Sequence, residues 1–249
     1  MEGNERYTRF CIRVKGNTAL FTAPETKLPG ERRSSWYPYY EQLKNMIQAI
    51  FWKPEICIVV DRCRIMHKAV FNTIGVNEME FGSNGRSDGH QPVAQTMLED
   101  VEYIIEFHII RNTSEFARKR IEARVQAGGE PWNRCKYEES MKRSIEKGYH
   151  HTPYLGTSDC PAVIYPCEDF SAGKGYYDNT TCDLGLVYHG MNYPEQAGDG
   201  IKPAAPGTVE RRFAHLKMVN GIIEFPAPAD CEVVQTICLE PQKKGRKRA

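Results

Sequence analysis

Val101-Glu102-Tyr103-Ile104-Ile105-Glu106-Phe107-His108-Ile109-Ile110 decides how the rest of the chain is read. β-Branched and aromatic residues dominate this run and neither Gly nor Pro interrupts it, so it is predicted to be a strand. Working back, Arg9 to Lys15 alternates: Phe10, Ile12 and Val14 fall on one face and Arg9, Cys11, Arg13 and Lys15 on the other. That pattern predicts a half-buried strand with a basic outer face. Residues 22–38 are rich in Pro, Gly and Ser and read as loop. Pro38 can open a helix in which Leu43, Met46, Ile47 and Ile50 recur at helical spacing, stopping before Pro54. The β-branched run from Glu55 to Val70 predicts one long or broken strand, and residues 72–97, with many Gly and Asn, a long loop or a hairpin.

Beyond the opening run, residues 112–132 are charged without an obvious core-facing stripe and end in Gly128-Gly129. Residues 133–147 predict a second helix with Met141 and Ile145 inward, closed by Gly148. A strand follows around Ala162–Tyr165. Strand, helix, strand, strand, helix, strand is the α+β order of a ferredoxin-like (RRM-like) domain, an antiparallel sheet with two helices on one face. Leu184–His189, Arg211–Met218, Ile222–Phe225 and Val233–Leu239 then predict a small C-terminal antiparallel β region. The expected division is 1–170, 171–240 and a basic flexible tail, 241–249.

Composition narrows the class. With 41% hydrophobic and 26% charged residues the chain is expected to fold into a substantial core. No run of about eighteen apolar residues is present, so no membrane helix is expected. The polar start Met1-Glu2-Gly3-Asn4-Glu5 is unlike a secretory signal, which predicts a cytoplasmic location. The nine cysteines form no Cys-x-x-Cys pair, so neither a zinc site nor a disulfide framework is expected. Net charge is only +1, but it is unevenly spread. Arg111–Lys147 holds ten Lys/Arg against six Glu, and the tail Lys243-Lys244-Gly245-Arg246-Lys247-Arg248 adds five positive charges. Such asymmetry fits a localised anion-binding face, or equally a solvated helix surface.

Several ordered strings carry a family likeness. Ala19-Leu20-Phe21-Thr22, then Pro24 and Lys27, then Ile50-Phe51-Trp52-Lys53-Pro54, are followed by Ile105-Glu106-Phe107-His108 and Lys147-Gly148. Pro153-Tyr154-Leu155-Gly156 with Cys160, Asp183-Leu184-Gly185 and Asn220-Gly221-Ile222-Ile223 continue the series. In order and spacing, over roughly residues 7–240, the chain resembles the CRISPR-associated Cas family five proteins of type I-C. The resemblance implies a ferredoxin-like domain with a small C-terminal β region. It implies an endoribonuclease without metal or cofactor that cuts the CRISPR repeat transcript at its hairpin and retains the 5′ handle of the guide RNA. Its implied partners are repeat RNA, crRNA and the backbone and large subunits of the Cascade complex, with no membrane.

Metal-free RNA cleavage is an attack by a 2′-hydroxyl on the adjacent phosphate. It needs a base, a cation for the phosphorane charge and a proton donor to the leaving 5′-oxygen. The family pattern supplies a Lys-His pair at the start of the second helix and a Tyr or His before the (Trp/Tyr)-Lys-Pro string. Here Lys136 matches, Tyr137 stands where the histidine is expected, and Phe51 occupies the position before Trp52 without a hydroxyl. A phenol with pKa about 10 is ionised in only about 0.1% of molecules at neutral pH, so as a base Tyr137 starts far behind an imidazole. His151, at a position where some relatives carry His, is the possible substitute base. His150, Trp52, Lys53 and Arg134 are candidate RNA contacts, against plain roles as turn, helix-closing or solvated residues. His108, mid-strand, reads as a satisfied sheet residue. Because two expected groups are changed, a non-catalytic 5′-handle-binding subunit is the alternative reading.

Overall fold

Strand β1 (Arg9–Ala19) alternates as its sequence demands, with Phe10, Ile12 and Val14 buried. The protein is described by a computed structural model over residues 7–28, 30–81 and 87–239. The predicted tail 241–249 and part of the 72–97 segment lie outside those residues. After β1 come β2 (Thr22–Leu28) and β3 (Glu31–Ser34), antiparallel to each other. This corrects the expectation of loop across 22–38. Helix α1 (Tyr40–Ile50) follows, with the Gln42 side chain accepting from the Tyr39 N–H at 3.1 Å. Leu43, Met46, Ile47 and Ile50 are buried as their spacing required, each contributing roughly 1.5–3 kcal/mol by leaving water.

The helix ends at Phe51, and β4 (Ile56–Ile65) runs back along the sheet. β5 (Val70–Phe81) and β6 (Ser87–Arg111) form the long hairpin that the 72–97 segment allowed. Glu31 of β3 lies parallel beside Ala94 of β6. Helix α2 (Glu115–Gln126) occupies the charged stretch for which no element is predicted. Only Ala117 and Ile121 of α2 are buried, so its inward stripe is two residues long. Helix α3 (Arg134–Lys147) buries Met141 and Ile145 and closes on Gly148 at φ 138°, a backbone angle that favours glycine. β7 (Val163–Pro166) completes the first motif.

Strands β4, β6, β1 and β7 lie side by side in that order, all antiparallel, and this is the ferredoxin-like arrangement. Ile58 and Val60 of β4 join Tyr103, Ile105 and Phe107 of β6 in the cluster under α1 and α3. The C-terminal strands are β8 (Thr181–Asn192), β9 (Thr208–Val219), β10 (Ile222–Glu224) and β11 (Glu232–Cys238). They extend the same sheet, because β10 pairs with β4 and sets Ile223 opposite Cys63. A buried polar group ties this extension to α1. Arg212 of β9 donates to His189 Nδ1 at 3.0 Å and lies 3.6 Å from Glu41.

Candidate nucleic-acid site

The Lys53-Pro54-Glu55 turn is the hinge on which the site is built. Phe51 caps α1, its N–H reaching Ile47 O at 3.4 Å, and Ile56 N–H closes the turn onto Lys53 O at 3.1 Å. The carbonyl of Pro54 accepts from Asn112 Nδ2 at 2.9 Å, and Asn112 Oδ1 takes the Ser114 N–H at 3.1 Å. Ser114 in turn caps α2, accepting from Ala117 N–H at 3.2 Å. The turn after α1 and the start of α2 are therefore fixed to one another through a single asparagine.

That linkage aims α2 at the first half of α3. Between them and the turn lies a cavity of about 480 Å³ lined by Phe51, Lys53, Lys136, Tyr137 and His150. Arg120 and Arg124 of α2 and Arg143 of α3 join its wall, and Glu55 is its one acidic lining residue. Arg124 Nη1 reaches the Tyr137 hydroxyl oxygen at 3.2 Å and Glu55 Oε1 at 3.3 Å, while its Nε donates to Glu130 O at 3.1 Å. The hydrogen bond to Tyr137, then the nearby Glu55 and Glu130 charges, raise the Arg124 pKa further, so its guanidinium stays charged. Lys136 Nζ donates to Glu130 Oε2 at 2.8 Å, and this bond and its charge hold the Glu130 carboxyl below the usual range.

Tyr137 is only 6% exposed and its ring stacks on Trp132 with centroids 6.1 Å apart. Its oxygen accepts from Arg124, which leaves the phenolic proton available for donation into the cavity. Phe51, 5% exposed, meets the His150 imidazole edge to face at 5.2 Å. Backbone bonds from His150 N–H to Ile50 O at 3.0 Å and from His151 N–H to Ala49 O at 2.9 Å clip this segment to the end of α1.

The candidates named from sequence divide accordingly. Phe51, Lys53, Lys136, Tyr137 and His150 meet in one cavity. His151 and Trp52 line a second cavity beside it, which shares His150. Arg134 lines neither; it pairs with Glu138 at 2.9 Å and lies over the Tyr7 ring. His108 is a sheet residue, held by Asp61 at 3.0 Å and stacked on Tyr7. Arg120, Arg124 and Arg143 were not singled out from the sequence. The local excess of Lys and Arg over Arg111–Lys147 was the available signal, and it does not distinguish these three from their neighbours.

The basic outer face of β1 is a different matter. Lys15 and Arg13 both pair with Glu102, Lys15 at 2.8 Å, and Arg9 lies 4.0 Å from Glu106, which also takes Arg62 at 2.6 Å. Burial opposes ionisation of Glu102, but Lys15 and Arg13 overcome it and hold the carboxyl below its ordinary range. This face is largely self-neutralised, so the cavity carries the more concentrated positive field. Among the described residues no cluster of three or more His, Cys, Asp or Glu side chains is arranged to hold a metal, and no helix is long and apolar enough to cross a membrane.

Fold and cavity together define a ferredoxin-like protein with a cationic pocket at one end of its helical layer. The chain belongs to the family described as CRISPR-associated protein (Cas_Cas5), Cas5d, which it matches over residues 10–226. It is 28% identical over 231 residues to the CRISPR pre-crRNA endoribonuclease Cas5d of Thermus thermophilus, covering 88% of this chain and 92% of that protein. It is 25% identical over 240 residues to the protein of the same name from Mannheimia succiniciproducens, covering 88% and 95%. A crystal structure of a CRISPR-associated protein superposes with a TM-score of 0.67 at 25% identity, covering 91% of this chain and 96% of that one.

Proposed function

We propose that this protein is a metal-independent endoribonuclease that cuts CRISPR repeat transcripts and keeps the 5′ handle of the guide RNA. The observation that carries the proposal is the cavity that gathers Lys136, Tyr137 and His150 among the cations Lys53, Arg120, Arg124 and Arg143. A phosphodiester entering it meets ammonium and guanidinium groups able to stabilise the phosphorane charge. An imidazole is the side chain suited to accept the 2′-hydroxyl proton near neutral pH, and His150 lines the cavity whereas His151 does not. Tyr137 is the donor to the leaving 5′-oxygen, and charge developing on its own oxygen meets the Arg124 guanidinium at 3.2 Å. The missing hydroxyl of Phe51 is thus offset: its ring supports the imidazole at 5.2 Å.

The names borne by the Thermus and Mannheimia relatives support the same reading. In it, residues 1–170 bind and process the RNA, residues 171–240 extend the sheet, and the protein works in the cytoplasm beside the backbone and large subunits of a Cascade complex. Incubating the full-length protein with its repeat RNA in EDTA tests this. Cleavage to a product ending in a cyclic phosphate, blocked by a 2′-deoxy substitution at the scissile nucleotide, is expected. RNA bound but intact after long exposure to excess protein would instead make the chain a handle-binding subunit without nuclease activity.

A further inference from the structure

His150 lines two cavities, and their chemistry differs. The first is the cationic cavity. The second, about 380 Å³, lies between α1 and the segment that follows α3, and is lined by Asn45, Gln48, Trp52, His151 and Tyr154 together with Ala49 and Thr152. None of its lining residues is Lys, Arg, Asp or Glu. Trp52 and Tyr154 remain 42% and 43% exposed, so two large aromatic surfaces are left unburied at its mouth. Both follow or join ordered backbone. Trp52 directly follows the helix cap, and Tyr154 sits in a bridge with Pro161, next to the Leu155 N–H bond to Cys160 O at 2.8 Å. Asn45 and Gln48, three residues apart on α1, bring amides that donate and accept alike.

We propose that this second cavity receives one unpaired nucleobase of the RNA whose phosphate enters the cationic cavity, a role that rests on the nuclease reading above. With no Lys or Arg on its wall the pocket lacks the fixed cations that mark the first cavity as the phosphate site, and it offers a base two stacking faces and hydrogen bonds along its edge. The shared wall, His150, makes the two occupants neighbours, as a base and an adjoining phosphate are. The volume suits a planar ring more than a folded protein element. Seating a particular base here fixes which phosphate lies beside Lys136 and Tyr137. The cavity is thereby a determinant of cleavage position.

A double-mutant cycle between protein and RNA tests this with the full-length chain. Repeat RNAs carrying one abasic nucleotide, moved a position at a time around the scissile phosphate, are bound to wild type, Trp52→Ala and Tyr154→Ala. At one position the abasic change is expected to weaken wild-type binding roughly tenfold. The same change should cost either variant almost nothing further. Thermal melting of each variant near that of wild type keeps the comparison on folded protein. If wild type binds and cuts the RNA but every abasic loss is equal in wild type and variants, the base pocket is overturned while the nuclease reading stands. If the variants treat RNA as wild type does but no longer join the other subunits, the cavity takes a protein side chain and the proposal fails. If wild type neither binds nor cuts repeat RNA, both readings fall together.

Discussion

Arg124 of α2 donates to the hydroxyl oxygen of Tyr137 on α3 across 3.2 Å, and Glu55 Oε1 at 3.3 Å and Glu130 O at 3.1 Å are its other acceptors. The contact joins two helices across the cavity and gives a charged group to an oxygen proposed to lose a proton. Tyr137→Phe keeps the ring that stacks on Trp132 and removes only that oxygen. Single-turnover cleavage is expected to fall by about 10²-fold or more, the range of a lost proton-transfer group, with RNA affinity changed only a few-fold. Equal cleavage rates for wild type and variant would leave the phenol with a packing role alone.

Lys136 has a competitor for its charge. Glu130 holds its ammonium at 2.8 Å, and the pair is exposed, so it contributes little to stability. RNA entering the cavity must displace or neutralise Glu130. Glu130→Gln is therefore expected to tighten repeat-RNA binding several-fold at low salt and to steepen the fall of affinity with salt, while the melting temperature stays put. Weaker binding by the variant would mean that Glu130 positions Lys136 rather than competing for it.

These two contacts also mark where sequence reading stops. Periodicity shows the helix, through Met141 and Ile145, but Lys136 and Tyr137 at its start are legible as site residues only through the family resemblance. Arg124 is not, because its direction depends on α2, whose buried face is only Ala117 and Ile121. So short a stripe hides among charged neighbours. In the β1–α1–β4–β6–α3–β7 frame β1, α1 and α3 show in periodicity, since each buries one face, whereas β4 and the second half of β6 show as continuous apolar runs, since both their faces are covered. β2 and β3 do neither, because β2 lies at the sheet's edge, where Pro24 is tolerated, and β3 is only four residues long, too short to show alternation. The pairing of β10 with β4, which merges the C-terminal strands into the main sheet, leaves no local pattern at all.

His189 makes stability depend on pH. It is buried against Tyr40, accepts at Nδ1 from Arg212 at 3.0 Å, and its Nε2 lies 3.2 Å from Pro226 O. Burial, then the Arg212 charge, push its pKa down to about 3. The folded imidazole therefore stays neutral where an unfolded one, near 6.5, takes a proton. Its contribution is complete above that value and declines as pH falls toward about 3, with a slope approaching about 1.4 kcal/mol per pH unit. Urea unfolding at pH 6.5 and 5 is expected to show wild type losing about 1–2 kcal/mol more than His189→Gln. Identical losses would mean the ring is protonated in the folded state.

The backbone that carries Tyr154 rests on Gly156, and two glycines of this region allow a graded test. Gly156 has φ +91°, and a Cβ there would lie 2.0 Å from Leu20 O, in the turn where Leu20 N–H bonds Leu155 O at 3.0 Å. Gly148 has φ +138° with nothing within 4 Å of a Cβ. Alanine at 148 meets backbone strain alone, about 1 kcal/mol or somewhat more. Alanine at 156 meets that strain and a collision with main chain, together about 2–5 kcal/mol. For a chain of this size Gly156→Ala should lower the melting temperature by roughly 5–15 °C and Gly148→Ala by a few degrees. Because the collision pushes on the segment bearing Tyr154, Gly156→Ala should also weaken RNA binding at the temperature where both variants are still folded. Equal melting temperatures for the two variants would show that the Leu20–Leu155 contact yields at no cost, and that Tyr154 is less firmly held than its hydrogen bonds imply.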